Sequence, residues 1–438
     1  MSLPVVAIVG RPNVGKSTLF NHLIGETKAI VHDVPGTTRD RIFGDVSWNG
    51  TFFSLVDTGG LLYGAQDEMA HTILEQVEAM IKDVDVVIML VDVKDGLLPD
   101  DEEIGHLVRR AGVPLVLAAN KVDNRSRALG ASEFHRLGLG DPVPISAHHG
   151  IGIHELMERV TDLLPSVQET PKPEGLRVAV VGRPNVGKSM LVNAILGEER
   201  AIVSPTPGTT RDAVDTPFVY GGAPMVLVDT AGLRRRGRIE RGVEHYSVLR
   251  AMRAIQRADV VVLVTDAQEG ITAQDTHVAG YARDAYKGVV VAINKWDMAA
   301  EMEMDRDQFA NDAQRKLRFL WYAPILFISA KMREGIDQLM AAVRHIGDAS
   351  EMRVQTSVLN QTLHEAFLAH SPPSRGRRRL KLYYATQAEV NPPTFVFFVN
   401  DPSLLHFSYH RYLENRIRES FGFDGAPLRL TFRSRGEQ

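Results

Sequence analysis

Two lysines, Lys16 and Lys188, stand in one repeated frame, GRPNVGKS, at Gly10–Ser17 and again at Gly182–Ser189. A GxxxxGK[ST] frame between an apolar strand and a helix suits the binding of phosphate. Gly10, Gly15, Gly182 and Gly187 let loop N–H groups wrap an anion, and the helix N-terminus adds the positive end of its dipole. Arg11, Pro12, Asn13 and Val14 complete the first loop, and Arg183, Pro184, Asn185 and Val186 the second. The expected roles are Lys16 and Lys188 on the β- and γ-phosphates, with the Ser17 and Ser189 hydroxyls on Mg²⁺.

Further motifs follow in the same order in each half. DTGGL (Asp57, Thr58, Gly59, Gly60, Leu61) recurs as DTAGL (Asp229, Thr230, Ala231, Gly232, Leu233). A carboxylate at a strand end can hold Mg²⁺ through water. The Gly60 and Gly232 amides can touch a γ-phosphate and let the next loop sense its loss. NKVD (Asn120, Lys121, Val122, Asp123) recurs as NKWD (Asn294, Lys295, Trp296, Asp297). An ionised Asp123 or Asp297 accepts two hydrogen bonds from the N1–H and N2–H₂ edge of guanine, an edge adenine lacks, and the Lys stem can lie over the base. Such a site can discriminate by roughly 10⁴–10⁵. ISA places Ser146 and Ala147, and later Ser329 and Ala330, where a backbone contact to the guanine oxygen is needed.

The elements that position these residues repeat as well. The phosphate loop, PGTTRD and DxxG recur at an offset of 172 residues, NKxD at 174 and ISA at 183. A unit this long is a duplicated domain rather than a solenoid repeat, and its second copy has gained residues around Glu301–Phe319. The runs VVAIVG, FFSLVDT, VVIMLVD and PLVLAAN read as buried parallel strands. Helical patterns such as MAHTILEQVEAMIKDV separate them. A doubly wound α/β sheet with helices on both faces is expected for each copy. PSVQETPKPEG reads as a tether. The expected layout is 1–164, a linker 165–175, 176–347 and a tail 348–438. The tail reads helix Val354–Ala369, strand Leu380–Ala385, strand Thr394–Val399, helix Ser403–Phe421, strand Leu428–Phe432, an α+β pattern.

Composition narrows the function classes. The chain of 438 residues has room for about three domains. It has no cysteine, so disulfides, thiolate metal sites and cysteine nucleophiles are excluded, and a reducing cytoplasm suits it. No apolar run reaches the roughly 18 residues of a membrane span, and no basic leader opens the chain. The net charge is −4. From Ala349 onward there are 12 Lys and Arg against 8 Asp and Glu, so the tail is basic by +4 and the rest carries −8. Arg375, Arg377, Arg378, Arg379 and Lys381 lead into Tyr383 and Tyr384, and Arg411, Arg416 and Arg418 lie on the last helix. Cations beside aromatics suit an RNA backbone and unstacked bases. GFDG (Gly422–Gly425) has the spacing of a KH-type loop but follows the last helix, so it reads as a C-cap and turn. The His148–His149 pair has no carboxylate at ligand spacing and does not read as a metal site.

In this order the motifs resemble a Ras-like GTPase domain. A tandem pair with a small basic tail resembles the bacterial EngA (Der) GTPases over essentially the whole chain. The resemblance implies two tandem P-loop GTPase domains, a C-terminal KH-like domain, GTP and GDP as ligands, and association with the large ribosomal subunit and its rRNA in subunit maturation. It implies a cytoplasmic protein without stable membrane association, and a monomer is expected. By similarity PGTTRD is switch I, with Thr38 and Thr210 as Mg²⁺ ligands and Thr37 and Thr209 as alternatives. Leu61 and Leu233 stand where Ras-like enzymes keep a water-orienting Gln, so something else must supply charge or positioning. Related GTPases with the PNxGKS loop use its Asn to bind potassium, which makes Asn13 and Asn185 candidate K⁺ ligands. Arg234, Arg235, Arg236 and Arg238 make the second switch II basic, for RNA, for another domain or for solvent. A tRNA-modifying enzyme controlled by G domains is the competing class, disfavoured by the absence of cysteine and of a further catalytic domain. A membrane-linked GTPase is disfavoured by the absence of a span or a lipidation signal.

Overall fold

Val5–Val9 is too short and too β-branched for a helix, and all five residues are buried as the central strand β1 of the first sheet. The other strands are β2 (Phe43–Trp48), β3 (Thr51–Asp57), β4 (Val86–Asp92), β5 (Leu115–Asn120) and β6 (Val143–Pro144). Their order is β2-β3-β1-β4-β5-β6. β1 lies parallel to both β3 and β4, and β5 and β6 continue the parallel set. β2 runs antiparallel to β3. The turn between them is Asn49-Gly50, both at positive φ (47° and 81°). Asn-Gly between two strand-forming runs is a hairpin signal, and it adds one antiparallel edge strand to the four runs read as parallel strands, which are parallel here. The computed structural model describes residues 4–26, 43–57, 81, 84–165, 175–197, 201–203, 215–230, 248–301, 305–373 and 378–434. Chain contacts divide into two units, Met1–Thr170 and Pro171–Gln438.

The second copy repeats this plan. Its strands are β7 (Leu176–Val181), β8 (Ala201–Val203), β9 (Thr216–Tyr220), β10 (Ala223–Val228), β11 (Val260–Asp266), β12 (Gly288–Asn294) and β13 (Ile325–Phe327). The order is β13-β12-β11-β7-β10-β9-β8, and the β9–β10 hairpin turns on Gly221-Gly222. Alternation along β7 sorts its side chains to two faces. Val178 and Val180 meet the helices Lys188–Leu196 and Ile336–Glu351, while Ala179 and Val181 meet Val248–Arg257 and Ala273–Asp284. The sheet is therefore covered on both sides, as a buried parallel sheet requires. The helical pattern MAHTILEQVEAMIKDV falls almost wholly outside the described residues, and 166–174 of the tether entirely so.

After the NKxD motif the copies diverge. The first has a short helix, Arg125–Gly130, and a 3₁₀ turn, Ala131–Leu137. The second starts a helix within its motif, Trp296–Glu301, and builds Arg306–Lys316 and Arg318–Leu320 largely from its extra residues. That excursion ends in Trp321 and Tyr322, on which the tail rests. Arg418 lies 4.5 Å from the Tyr322 ring centroid and 5.1 Å from that of Trp321. Arg429 lies 4.3 Å from the Tyr286 ring, and Asn391 Nδ2 donates to Asp259 Oδ1 at 3.2 Å.

The tail is α+β: helix Thr356–Ala369, β14 (Leu382–Glu389), β15 (Thr394–Val399), helix Phe407–Phe421 and β16 (Arg429–Ser434). Its sheet has the order β14-β15-β16, antiparallel then parallel. Both helices pack on one face, over Phe395, Phe397, Val399 and Leu430. The helix of the tail expected from Val354 starts at Thr356, the strand expected to end at Ala385 runs to Glu389, the strand expected over Leu428–Phe432 covers Arg429–Ser434, and two further starts shift for visible reasons. β14 starts at Leu382 because Lys381 pairs with Asn400, through backbone and side chain, beyond the ladder. The last helix starts at Phe407, after His406 has capped the Ser408 N–H, and Pro402–Leu404 forms a separate 3₁₀ turn.

Candidate nucleotide sites

In each copy the phosphate loop connects the central strand to the helix that Lys16 or Lys188 begins. Gly10 sits at φ +155°, and a Cβ there would lie 2.3 Å from the Leu90 carbonyl oxygen of β4. Gly15 sits at φ +99°, and a Cβ there would lie 2.4 Å from Asn120 Nδ2. Gly182 and Gly187 repeat both contacts, at 2.2 Å from Val264 O and 2.3 Å from Asn294 Nδ2. The glycines are needed because neighbouring strands and the asparagine press against the loop. Val14 and Val186 are fully or almost fully buried in the cores beneath and anchor their loops. Lys16 is buried, and its Nζ donates to Gly10 O and Arg11 O, both at 2.9 Å. Burial pulls its ammonium below the usual lysine range, partly offset by Asp57. Lys188 Nζ donates to Arg183 O at 2.6 Å. Both amines curl over their own loops, where an anion would meet them.

Asn120 and Asn294 join three motifs. Asn120 Nδ2 donates to Val14 O at 2.8 Å, and its Oδ1 accepts from Ala147 N at 2.9 Å. Asn294 does the same with Val186 O (2.8 Å) and Ala330 N (2.9 Å). The alanine N–H of each ISA motif, where a backbone contact to a guanine oxygen was expected, donates here to the asparagine of NKxD. Ser146 Oγ donates to Asp123 Oδ1 at 3.0 Å, and Ser329 Oγ to Asp297 Oδ1 at 2.7 Å. The serine bond, with Lys94 and Arg127 nearby, holds the Asp123 carboxyl below the usual carboxylate range, so it is ionised at neutral pH. Lys121 and Lys295 adopt positive φ (68° and 63°) and pair with Asp92 and Asp266. Lys121 Nζ also donates to Asn13 O at 3.0 Å, which ties NKxD to the phosphate loop a second time. Val122 is buried under the first motif. Trp296 is buried in the second, 4.4 Å from the Phe327 centroid.

Ser17 Oγ donates to Asp57 Oδ2 at 2.5 Å, which brings a hydroxyl and a carboxylate from different elements together. The second copy differs here. β10 stops at Val228, and Asp229 takes φ +57° with its N–H accepted by Asp215, itself paired with Arg257. Thr230 Oγ1 is buried 2.8 Å from Thr216 Oγ1. Asn13 and Asn185 are exposed and adopt positive φ (66° and 64°); their neighbour Pro12 is also exposed and Pro184 is half-buried. Thr38, Thr210, Thr58, Gly59, Gly60, Leu61, Ala231, Gly232, Leu233 and the switch II arginines lie outside the described residues.

Sequence reading gave Arg11 and Arg183 no role beyond the loop. Arg11 reaches Asp95 at 2.6 Å and Asp101 at 3.4 Å, and Asp101 is fully buried at the start of the helix Pro99–Ala111. Arg183 pairs with Glu269 and with buried Asp275 at 3.5 Å. Burial pushes the Asp101 and Asp275 carboxyls up, offset in part by these arginines. The side chains therefore brace the loop against the following helix. The signal was the recurrence of the acids at an offset of 174.

Two expectations about other residues change or hold. Arg418, grouped with the exposed cations of the tail, is 3% exposed and donates to Phe423 O, Ala426 O and Glu414. It is an internal brace rather than part of a charged surface, because the turn after the helix leaves two inward carbonyls to satisfy. Gly422, at φ +75° with its N–H on Arg418 O, is the helix C-cap read from GFDG. Among the described residues no cluster of three or more His, Asp or Glu could hold a metal, and no helix is long and apolar enough to cross a membrane.

A family model described as a 50S ribosome-binding GTPase matches residues 5–121 and again 177–295. One described as the C-terminal KH-domain-like part of EngA bacterial GTPase enzymes matches 353–433. The GTPase Der of Moorella thermoacetica is 51% identical over 433 residues, covering 99% of both chains. That of Thermomicrobium roseum is 52% identical over 445 residues, covering 99% of this chain and 97% of its own. With both sites, the tail and the full length matched, the chain belongs to the GTPase Der family.

Proposed function

We propose that this GTPase is a GTP-driven switch on the large ribosomal subunit, acting in ribosome biogenesis, with its nucleotide state setting domain arrangement and rRNA binding. Membership of a GTPase family makes GTP hydrolysis the reaction. The observation that supports guanine specificity is the pairing of each NKxD carboxylate with an SA-loop serine, at 3.0 and 2.7 Å, which fixes the carboxylate in place as an acceptor. In this reading Asp123 and Asp297 take the base. Lys16 and Lys188 meet the β- and γ-phosphates, and Thr38, Gly60, Thr210 and Gly232 sense the γ-phosphate.

Mg²⁺ suits the first site. Ser17 and Asp57 bring two hard oxygen donors within hydrogen-bond reach of each other, and Mg²⁺ binds through few protein oxygens plus those of phosphates. Ser17, Thr38 and Asp57, and in the second copy Ser189, Thr210 and Asp229, would hold it. The ion supplies neutralisation of phosphate charge when bound. Potassium at Asn13 and Asn185 is proposed to supply the further charge that Leu61 and Leu233 cannot direct. The functional layout is 1–164, 165–175, 176–347 and 348–438, in a cytoplasmic monomer. Contacts of Trp321, Tyr322, Tyr286 and Asp259 with the tail support the second G domain and the tail acting as one body.

The test is cosedimentation with purified ribosomal subunits, for the wild type, Lys16→Ala and Lys188→Ala, each with a non-hydrolysable GTP analogue and with GDP. The reading requires that the wild type bind the large subunit with an affinity that depends on nucleotide, since a ligand shifts an equilibrium only by its differential affinity. At least one variant must lose that difference. Equal binding in both nucleotides would sink the switch.

A further inference from the structure

The three-stranded sheet of the tail has a second face. Alternation puts Ala385, Phe395, Phe397, Val399 and Leu430 against the two helices. Their neighbours point the other way: Tyr384 and Thr386 on β14, Val396 and Phe398 on β15, Arg429, Thr431 and Arg433 on β16. Register arranges them in cross-strand rows, Tyr384–Phe398–Arg433, Thr386–Val396–Thr431 and Thr394–Arg429. The last row is occupied, because Arg429 lies against Tyr286 of the second G domain. The first row is open. Tyr384 is 45% exposed, Arg433 is exposed, and the Tyr384 and Phe398 rings stack with centroids 4.4 Å apart at an interplanar angle of 18°.

We infer that the row Tyr384–Phe398–Arg433 is a stacking platform for an unpaired base of single-stranded RNA, with Arg433 and the lead-in to β14 on its backbone. This rests on the reading of the tail as an rRNA contact and names the part of it that takes an unpaired base. Three features favour that ligand. A near-parallel aromatic pair on an open sheet presents a π-face to a base of any sequence. The cations gather at the same end of the sheet. Exposed Arg378, Arg379 and Lys381 lead into β14, and Lys381 and Arg379 are fastened to Asn400 directly after β15. Arg433 stands in register with Phe398. One carboxylate, Asp401, is near Arg378, and it is taken up by Ser403. Duplex RNA keeps its bases stacked internally and offers this platform only phosphates.

The probe is a fluorescein-labelled ten-nucleotide RNA of mixed sequence, single-stranded or annealed to its complement, titrated with the full-length chain and read by anisotropy. The single strand is expected to bind more tightly than the duplex. Tyr384→Ala is expected to weaken the single strand about tenfold, within the range for loss of one base–aromatic stack, while Tyr384→Phe keeps most of the affinity. Arg433→Ala is expected to weaken binding and to reduce the slope of log K against log salt by about 0.7. GTP turnover, unchanged in all three variants, shows that they fold. Wild-type affinity in Tyr384→Ala, or equal affinity for duplex and single strand, overturns the platform. Loss of subunit cosedimentation by Tyr384→Ala with RNA affinity intact also overturns it and assigns the face to a protein. If the wild type binds the single strand through Tyr384 yet fails to cosediment, the platform stands and the ribosomal reading falls.

Discussion

Removing Arg418 tests whether the last helix carries its cations for RNA or for the fold. Arg418→Ala strips the donor from two carbonyls, Phe423 O and Ala426 O, in the turn that returns the chain to β16. It also leaves Glu414 without its guanidinium at 3.2 Å, and it empties the space over Tyr322 and Trp321. Each buried acceptor left unsatisfied costs about 1–3 kcal/mol, and a desolvated cation–π contact contributes up to about 2 kcal/mol. These terms overlap, and breaking a buried charge pair from one side usually costs about 3–5 kcal/mol in all. Burial pulls the Arg418 guanidinium below its usual value, offset in part by Glu414, so the charge is held against a desolvation cost. Arg418→Met, which restores volume but no donor, should therefore recover only part of the loss. Arg418→Lys should also recover only part, since an ammonium can donate to both carbonyls but has no planar guanidinium to stack on the Tyr322 and Trp321 rings while reaching Glu414.

Urea unfolding of the full chain, followed by tryptophan fluorescence, reads this directly because Trp321 lies under the arginine. The unfolding phase of the second unit should move to lower urea in Arg418→Ala. Guanine nucleotide binding at the first site should stay unchanged. A variant that unfolds within about 0.5 kcal/mol of the wild type, the ordinary span for surface substitutions, yet loses RNA affinity would refute the brace and return Arg418 to the charged surface.

Asp123→Asn and Asp297→Asn should each shift their site from guanine toward xanthine, whose 2-oxo group accepts where an amide donates; unchanged GTP affinity at the altered site, by competition with xanthosine triphosphate, would count against the base assignment. GTP turnover should be slow and faster in potassium than in sodium at matched ionic strength, and equal rates would remove the ion from the reaction. Burial pushes the Asp259 carboxyl up, but the Arg177 hydrogen bonds and charge outweigh it and hold the group below its ordinary value. Its contribution is then complete above the ordinary carboxylate pKa of about 3.9 and fades as pH falls through the depressed value. The stability deficit of Asp259→Asn should accordingly be constant from pH 7 to about 5 and shrink only in stronger acid; a deficit already vanishing near pH 6 would contradict the pairing.

Local patterns carried most of the fold. Thr394–Val399 is a strand whose last five residues are a continuous apolar run, and its ends match expectation residue for residue. The strand runs before each motif are likewise explicit, because fully buried strands leave little freedom in residue type. What stayed hidden depends on partners distant in sequence. Asn120 meets Val14 across 106 residues, and Arg11 meets Asp95 across 84. No local period announces such bonds. Arg418 was misplaced for the same reason, since its charge is local but the carbonyls it serves and the rings it stacks on are set by tertiary packing. The edge hairpins carry turn signals of their own in Asn49-Gly50 and Gly221-Gly222, outside the four runs read as parallel strands.

The comparison of the two copies separates what nucleotide binding demands from what the tail demands. Both keep the glycine pressed by an asparagine amide, the asparagine bridging loop to SA motif, the serine on the aspartate, the lysine–aspartate pair and the arginine brace. A ligand of fixed size imposes these, so neither copy is free to lose them. The excursion after NKxD is under no such constraint, and there the second copy has become longer. Its extra helix carries Phe309 against Trp296 of the base motif, and its end supplies Trp321 and Tyr322 to Arg418 of the tail. The added residues therefore touch the base motif at one end and the tail at the other. The tail also rests on Tyr286 and Asp259, at the opposite ends of β11 and β12 from the Asp266 and Asn294 that serve the nucleotide motifs. Docking at that far edge leaves the second site open to nucleotide while its aromatic core is continuous with the surface that holds the tail. A perturbation of the second base motif therefore has a packed route to the tail through Trp296 and Tyr322, and replacement of the Trp296 side chain is expected to be felt beyond its own nucleotide.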